Sequence, residues 1–108
     1  MTSKDFTPYY AVIFTSVQSD YDQGYAQTAQ QMVDLAARQP GYLGFETVSE
    51  GKQGISVSYW KDLDSIKSWK KVADHLTAQK SGREKWYKSY TTRIARVERE
   101  YSFEKLES

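Results

Sequence analysis

Residues 9–18, YYAVIFTSVQ, carry apolar side chains on both alternating faces: Tyr10, Val12 and Phe14 on one, Tyr9, Ala11, Ile13 and Val17 on the other. Successive side chains of a strand point to opposite sides, so a strand that is apolar on both sides has to be covered on both. This segment is therefore expected at the centre of a sheet. With 108 residues the chain has room for one domain and one principal core.

The following segments supply the rest of such a fold. Asp20 or Asp22 is placed to cap a helix whose Tyr25, Ala29, Met32, Val33 and Ala36 fall on one face, and Pro40 with Gly41 ends it. YLGFETVSEGKQGISVSYW reads as two strands joined between Glu50 and Gly54, where two glycines permit a tight reversal. Asp62 or Asp64 then caps a second helix with Leu63, Ile66, Trp69, Ala73 and Leu76 on one face, and Gly82 stands where a terminator belongs. GREKWYKSY predicts a short further helical segment carrying Trp86, Tyr87 and Tyr90. TTRIARVEREYSF predicts a final strand that alternates Thr91, Arg93, Ala95, Val97, Arg99 and Tyr101 with the rest.

The order β-α-β-β-α-β is the ferredoxin-like α+β arrangement, an antiparallel sheet with both helices on one face. Its second face stays open. Aromatic and apolar residues fall there too, so a homodimer closed through that face is expected, with a monomer of polar outer face as the alternative.

Composition removes several functions. Fifteen basic and fourteen acidic residues leave a formal charge of +1, so no global field draws the chain to nucleic acid or membrane. The absence of cysteine removes thiol nucleophiles, cysteine-ligated zinc and iron–sulfur clusters, and fits a cytoplasmic protein. No apolar run approaches the roughly 18 residues of a membrane span, and MTSKDFTPYY lacks the apolar middle of a signal peptide. Gly-rich phosphate loops and a Ser-His-Asp order are absent. PGYLGF superficially follows an RNA-binding signature, but lacks the leading base, inserts Leu43 and falls on the second strand, so it reads as a helix–strand turn.

What remains is an aromatic content of 15% and a single histidine. Trp69 shares its helical face with Ile66, Ala73 and Leu76, which makes it a core ring or the wall of an aromatic pocket. His75 lies about 120° around the helix from Trp69, with Gln79 one turn on. It is either a solvated or interface histidine or a proton-transfer group; without neighbouring ligands it does not make a zinc site. Arg93, Arg96 and Arg99 either pair with Glu46, Glu50, Glu98 and Glu100 or form a basic pocket for an acidic phenol.

QPGYLGFETV, SYWKDLDSIKSWKKVADH, AQKSGREKWY and RIARVEREY resemble the antibiotic biosynthesis monooxygenase (ABM) family over about residues 8–103. The resemblance implies a single ABM-like domain over residues 1–108, with a short flexible N-terminus and C-terminal tail, dimerising through its sheets into an α+β barrel. It also implies oxygenation of a small aromatic, phenolic or quinol compound without metal, flavin or other cofactor. His75, Gln79 and Arg83 would then be the catalytic candidates, handling a proton and orienting an oxyanion. Trp69, Trp60 and Tyr87 would form the substrate pocket. The rival expectation is a non-catalytic or stress-related small-molecule-binding dimer. The haem-degrading branch of the family ranks below both. Its histidine comes about one helical turn later, where this chain has Gln79, and its first-strand asparagine is absent here.

Overall fold

A computed structural model of the chain describes residues 7–80 and 82–106, with the side chains of 78–83 excepted. The elements are β1 (Tyr9–Gln18), α1 (Tyr25–Ala37), β2 (Tyr42–Glu50), β3 (Gln53–Trp60), α2 (Leu63–Lys80), α3 (Gly82–Trp86) and β4 (Tyr87–Val97). They form one four-stranded antiparallel sheet in the order β2-β3-β1-β4. β1 is central, as its two apolar faces require. Within one chain the sheet is open, not closed into a barrel.

Register sorts the side chains. Tyr10, Val12 and Phe14 share a face with Trp60 and Ser58 of β3, because Tyr10 stands opposite Trp60 and Val12 opposite Ser58. This is the helix side. Ala36 of α1 and Ile66 of α2 bury against Trp60 there, with Tyr10, Val12, Tyr42 and Trp69 packed around them. Tyr9, Ala11, Ile13, Val57, Tyr59 and Ile55 line the opposite face, which no helix covers.

The ends of the elements refine the sequence expectations. α2 starts as predicted: the Asp62 carboxylate accepts from the Ser65 amide at 2.8 Å and from its hydroxyl at 2.7 Å, an N-cap bond at N3. α1 does not. Gly24, with φ 77°, holds the N-cap position and no side chain caps the helix. Asp20 instead pairs with Lys52 at 3.3 Å, and Asp22 offers only its carbonyl, to the Tyr25 amide at 3.1 Å. The reason lies in Ser19. Its hydroxyl donates to the Lys85 carbonyl and accepts from the Tyr21 amide, tying this loop to α3 instead of to α1.

The β2–β3 reversal is tighter than expected, since only Gly51 (φ 61°) and Lys52 separate the paired Glu50 and Gln53. Gly82 opens α3 instead of closing α2, and residue 81 lies outside the described residues. Helix α3 ends at Trp86, so Tyr87 and Tyr90 belong to β4, paired with Gln18 and Ser16 of β1. At the other end β4 stops at Val97, opposite Tyr9, because β1 offers no residue beyond for pairing. Residues 98–106 therefore lie outside the sheet with no regular secondary structure; Arg99 and Tyr101 do not continue the strand.

Candidate functional site

The helix side of the sheet carries two groups of aromatic rings, joined along β1 by Val12. The first is built on Trp60, which is 0% exposed. Its indole N–H donates to the buried Ser58 hydroxyl at 2.8 Å, the partner a buried tryptophan needs. Trp69 stacks on it from α2, with centroids 5.9 Å apart and planes at 21°, and Tyr42 meets it edge-on at 5.6 Å. Trp69 keeps part of its surface open.

The second group surrounds Phe14. Tyr87 meets Phe14 edge-on at 5.5 Å and Tyr90 lies tilted over it at 5.3 Å. Tyr25, the first residue of α1, lies edge-on to both Tyr87 and Trp86. The Tyr87 and Tyr25 hydroxyls face each other at 3.5 Å. Trp86 is buried behind them, donating its N–H to the Gln23 carbonyl at 2.9 Å. Half-buried rings with converging hydroxyls suit a flat, hydroxylated guest, because ring edges and faces attract it and the hydroxyls fix its orientation.

The residues expected from sequence are thus divided. Trp60 and Trp69 come together, but Trp60 is entirely enclosed, so it backs Trp69 and cannot itself line a pocket. Tyr87 lies in the other group. His75 is exposed on α2, one position before the buried Leu76. The side chains of Gln79 and Arg83 fall outside the described residues. Phe14, Tyr25 and Tyr90 were not expected at the site. The signal for Phe14 was present, since alternation along β1 puts it on the face of Tyr10 and Val12.

The arginines do not converge either. Arg96 opposes Tyr10 on the helix side, whereas Arg93 opposes Ile13 on the open side. Arg96 bonds Glu98 at 3.0 Å. Glu46 and Glu100 accept tyrosine hydrogen bonds: the Tyr59 hydroxyl donates to Glu46 and the Tyr9 hydroxyl to Glu100, each at 2.6 Å. Each phenol is held up to about 12, first by its hydrogen bond to the carboxylate, then by desolvation and the neighbouring negative charge. The two rings touch edge to face at 5.9 Å, so the open side carries a linked pair of tyrosine–carboxylate bonds at one end.

At the other end of the open side lies a concavity of about 440 Å³, lined by Thr15, Val17, Val48, Gln53, Ile55 and Thr91 among others. Neither Trp69 nor His75 belongs to it. Among the described residues no group of three or more His, Cys, Asp or Glu side chains could hold a metal ion. No helix among them is long and apolar enough to cross a membrane.

The topology and helix placement define a ferredoxin-like α+β domain. The sequence profile described as antibiotic biosynthesis monooxygenase matches residues 8–81, and the chain belongs to this ABM family. It is 51% identical over 98 residues to the protein YqjZ of Bacillus subtilis (strain 168), covering 90% of this chain and 86% of YqjZ. SnoaB, a cofactor-independent oxygenase from Streptomyces nogalater, superposes with a TM-score of 0.67 at 12% identity, covering 92% of this chain and 100% of that one. PA3566 from Pseudomonas aeruginosa gives 0.68 at 12% identity, with 89% and 98% covered. At such identities the likeness concerns the fold.

Proposed function

We propose that the chain is a cofactor-independent monooxygenase for a small aromatic, phenolic or quinol compound, working as a homodimer closed through the open sheet face. The observation that carries this reading is the second ring group: Tyr87 and Tyr90 pack on Phe14, and the Tyr87 and Tyr25 hydroxyls face each other at 3.5 Å beside them. A hydroxyarene lying against these rings meets aromatic edges and two hydroxyls. Family membership and the likeness to SnoaB favour the same chemistry.

Such a reaction balances without a cofactor when the substrate supplies the electrons. A hydroxyarene and dioxygen give a quinone and water: one oxygen atom bonds to the ring carbon, whose C–H proton is lost, and the other leaves as water. His75 is the group proposed to take the phenolic proton and return it to the departing oxygen, with Gln79 and Arg83 orienting the oxyanion. Trp69, held by Trp60 behind it in the first ring group, is the ring that α2 is proposed to add to the pocket.

The test is oxygen uptake with a panel of naphthols and anthrones in the presence of a chelator, together with quinone absorbance. Uptake matching quinone formation supports the reading. One observation favours a second reading, a non-catalytic binding dimer: the described concavity lies away from Trp69 and His75. Fluorescence quenching by the same compounds with no oxygen uptake would establish that reading instead. Haem degradation stays below both, and a stoichiometric haemin complex lost in His75→Ala would raise it. For the assembly, sedimentation is expected to give a dimer at micromolar concentration, and Val57→Asp on the open face to abolish it.

A further inference from the structure

Tyr87 and Tyr90 are three residues apart on β4, and strict alternation would put them on opposite faces of the sheet. A bulge brings them to the same one. Tyr90 stands opposite Ser16 and Ser89 opposite Val17, but Gln18 pairs with Tyr87, so Lys88 has no partner in this ladder. In a regular strand Lys88 would take the place opposite Gln18 and face the helix side. The bulge leaves Lys88 exposed and turns Tyr87 to that side, where it meets Phe14, Tyr25 and Tyr90. Bulges that re-aim a side chain recur beside functional sites.

The residue before Tyr87 governs the other hydroxyl. Trp86 donates its indole N–H to the Gln23 carbonyl at 2.9 Å, and its own carbonyl accepts the Ser19 amide at 2.8 Å. Gly24 lies against the same ring, since a Cβ there would stand 3.7 Å from it. Tyr25 follows directly and meets the indole edge-on at 5.7 Å. The uncapped start of α1 is thus positioned from Trp86, the chain neighbour of Tyr87.

The Tyr87 hydroxyl donates to the Tyr25 hydroxyl at 3.5 Å, long beside the roughly 2.7–2.8 Å of an ordinary O–H···O bond. A bond of that length contributes little, yet both hydroxyls can reach one oxygen atom. An oxygen about 2.7 Å from each would see them about 80° apart, within the broad range of directions that an sp² oxygen accepts. We propose that Tyr25 and Tyr87 form a seat for one acceptor oxygen of a flat ring compound, and that Trp86 is the positioning residue that sets it. The inference rests on the ring group of the proposed function and adds a basis for selection. A ring with a carbonyl or ionised hydroxyl at its edge is preferred over the same ring without one, because the bare ring leaves the two hydroxyls poorly bonded.

Equilibrium dialysis of the full chain against 1,4-naphthoquinone and against naphthalene tests the seat, and the lack of cysteine keeps thiol addition out of the titration. The quinone is expected to bind about tenfold more tightly or better. Tyr25→Phe and Tyr87→Phe keep the rings, so each should weaken the quinone roughly three- to tenfold and leave naphthalene unchanged. Trp86→Phe keeps an aromatic side chain without the N–H, and should lower the quinone-to-naphthalene ratio about threefold or more. Ser19→Ala removes the hydroxyl that ties this loop to Lys85. It should lower the ratio too, and it answers the question if Trp86→Phe fails to fold. Equal binding of the two compounds, binding of neither, or a ratio unchanged in both tyrosine variants overturns the seat. A ratio unchanged in Trp86→Phe and Ser19→Ala overturns the positioning role. Selective binding without oxygen uptake would leave the seat standing and remove the monooxygenase reading; oxygen uptake without selectivity would do the reverse.

Discussion

Trp69 lies nearly parallel to Trp60, with planes at 21° and centroids 5.9 Å apart, and of the two only Trp60 is sealed from solvent. The pair is therefore layered, with a structural ring beneath and a partly open ring above.

That layering separates two substitutions. Trp60→Ala removes the largest wholly buried side chain and strands the Ser58 hydroxyl, so a loss of roughly 3–5 kcal/mol is expected in chemical denaturation. Trp69→Ala should cost distinctly less, because part of its surface already meets water. The double variant should fall short of the sum by about 0.5–1.5 kcal/mol, the scale of a direct ring–ring interaction. Equal single losses would show Trp69 to be as much core as Trp60.

Gly41 is the position where a side chain is least tolerable. Its φ is 87°, and an added Cβ would collide with the Ser65 side chain at the start of α2. Its carbonyl also accepts the Lys61 amide at 2.8 Å, so the turn cannot easily move aside. Gly41→Ala is expected to cost upwards of about 1–3 kcal/mol, read as a drop in melting temperature. Gly51→Ala, with positive φ but open space around the Cβ position, should cost less.

Tyr9 and Tyr59 predict an alkaline limb. Each phenol titrates at about 12 in the fold, against about 10 in an unfolded chain. The folded value is the higher one, so the stabilisation is fully present below pH 10 and is lost as pH rises from 10 to 12. Phenolate absorbance should show two of the nine tyrosines ionising late. Tyr9→Phe with Tyr59→Phe should remove that late step. A single transition near pH 10 in the parent protein would contradict the two carboxylate bonds.

Asp62 predicts the acid limb. Its carboxyl is held below the usual range, first by the Ser65 hydroxyl and then by the Ser65 amide. The capping contribution is present above the unfolded value and fades as pH falls through the folded one. Asp62→Ala should lower the melting temperature at neutral pH and flatten its dependence below about pH 4. An unchanged slope would show that the cap carries no charge-dependent stability.

His75→Ala tests the proposed chemistry. The side chain is exposed beside the buried Leu76, so the melting temperature should barely move, in keeping with a surface change of under about 0.5 kcal/mol. Turnover of a hydroxyarene should fall about 10²-fold or more if the imidazole carries the proton. Undiminished turnover would make the histidine a bystander, and a large fall in melting temperature would make it structural.

The sequence was most legible where one physical rule acted alone. Apolar residues on both faces of YYAVIFTSVQ placed β1 at the centre with its bounds correct, and Asp62 or Asp64 announced the start of α2, which Asp62 caps. It was least legible where distant segments decided the outcome. Whether Tyr87 and Tyr90 join a helix or a strand depends on Gln18 and Ser16 being available for pairing, some seventy residues earlier. Asp22 looked like a cap, but Ser19 ties the loop to Lys85. For the site, helical periodicity grouped Trp69 with its neighbours, yet could not show that Trp60 would be sealed behind it. Nor could it show that Tyr25 and Tyr87, 62 residues apart, would bring their hydroxyls together.

The uncapped start of α1 bears on how a guest could reach those hydroxyls. Gly24 leaves the first-turn amides without a side-chain acceptor, and Ala26 and Gln27 there are exposed. The amides of this turn should therefore exchange with deuterium before those of β1. Tyr25 is the first residue of the turn. One side of the ring group is thus carried by a helix turn that no side chain caps, while Phe14 belongs to the central strand. Admission of a flat molecule would need only a local fray of a few residues, on the fast timescale of helix ends, with no lid and no movement of the sheet.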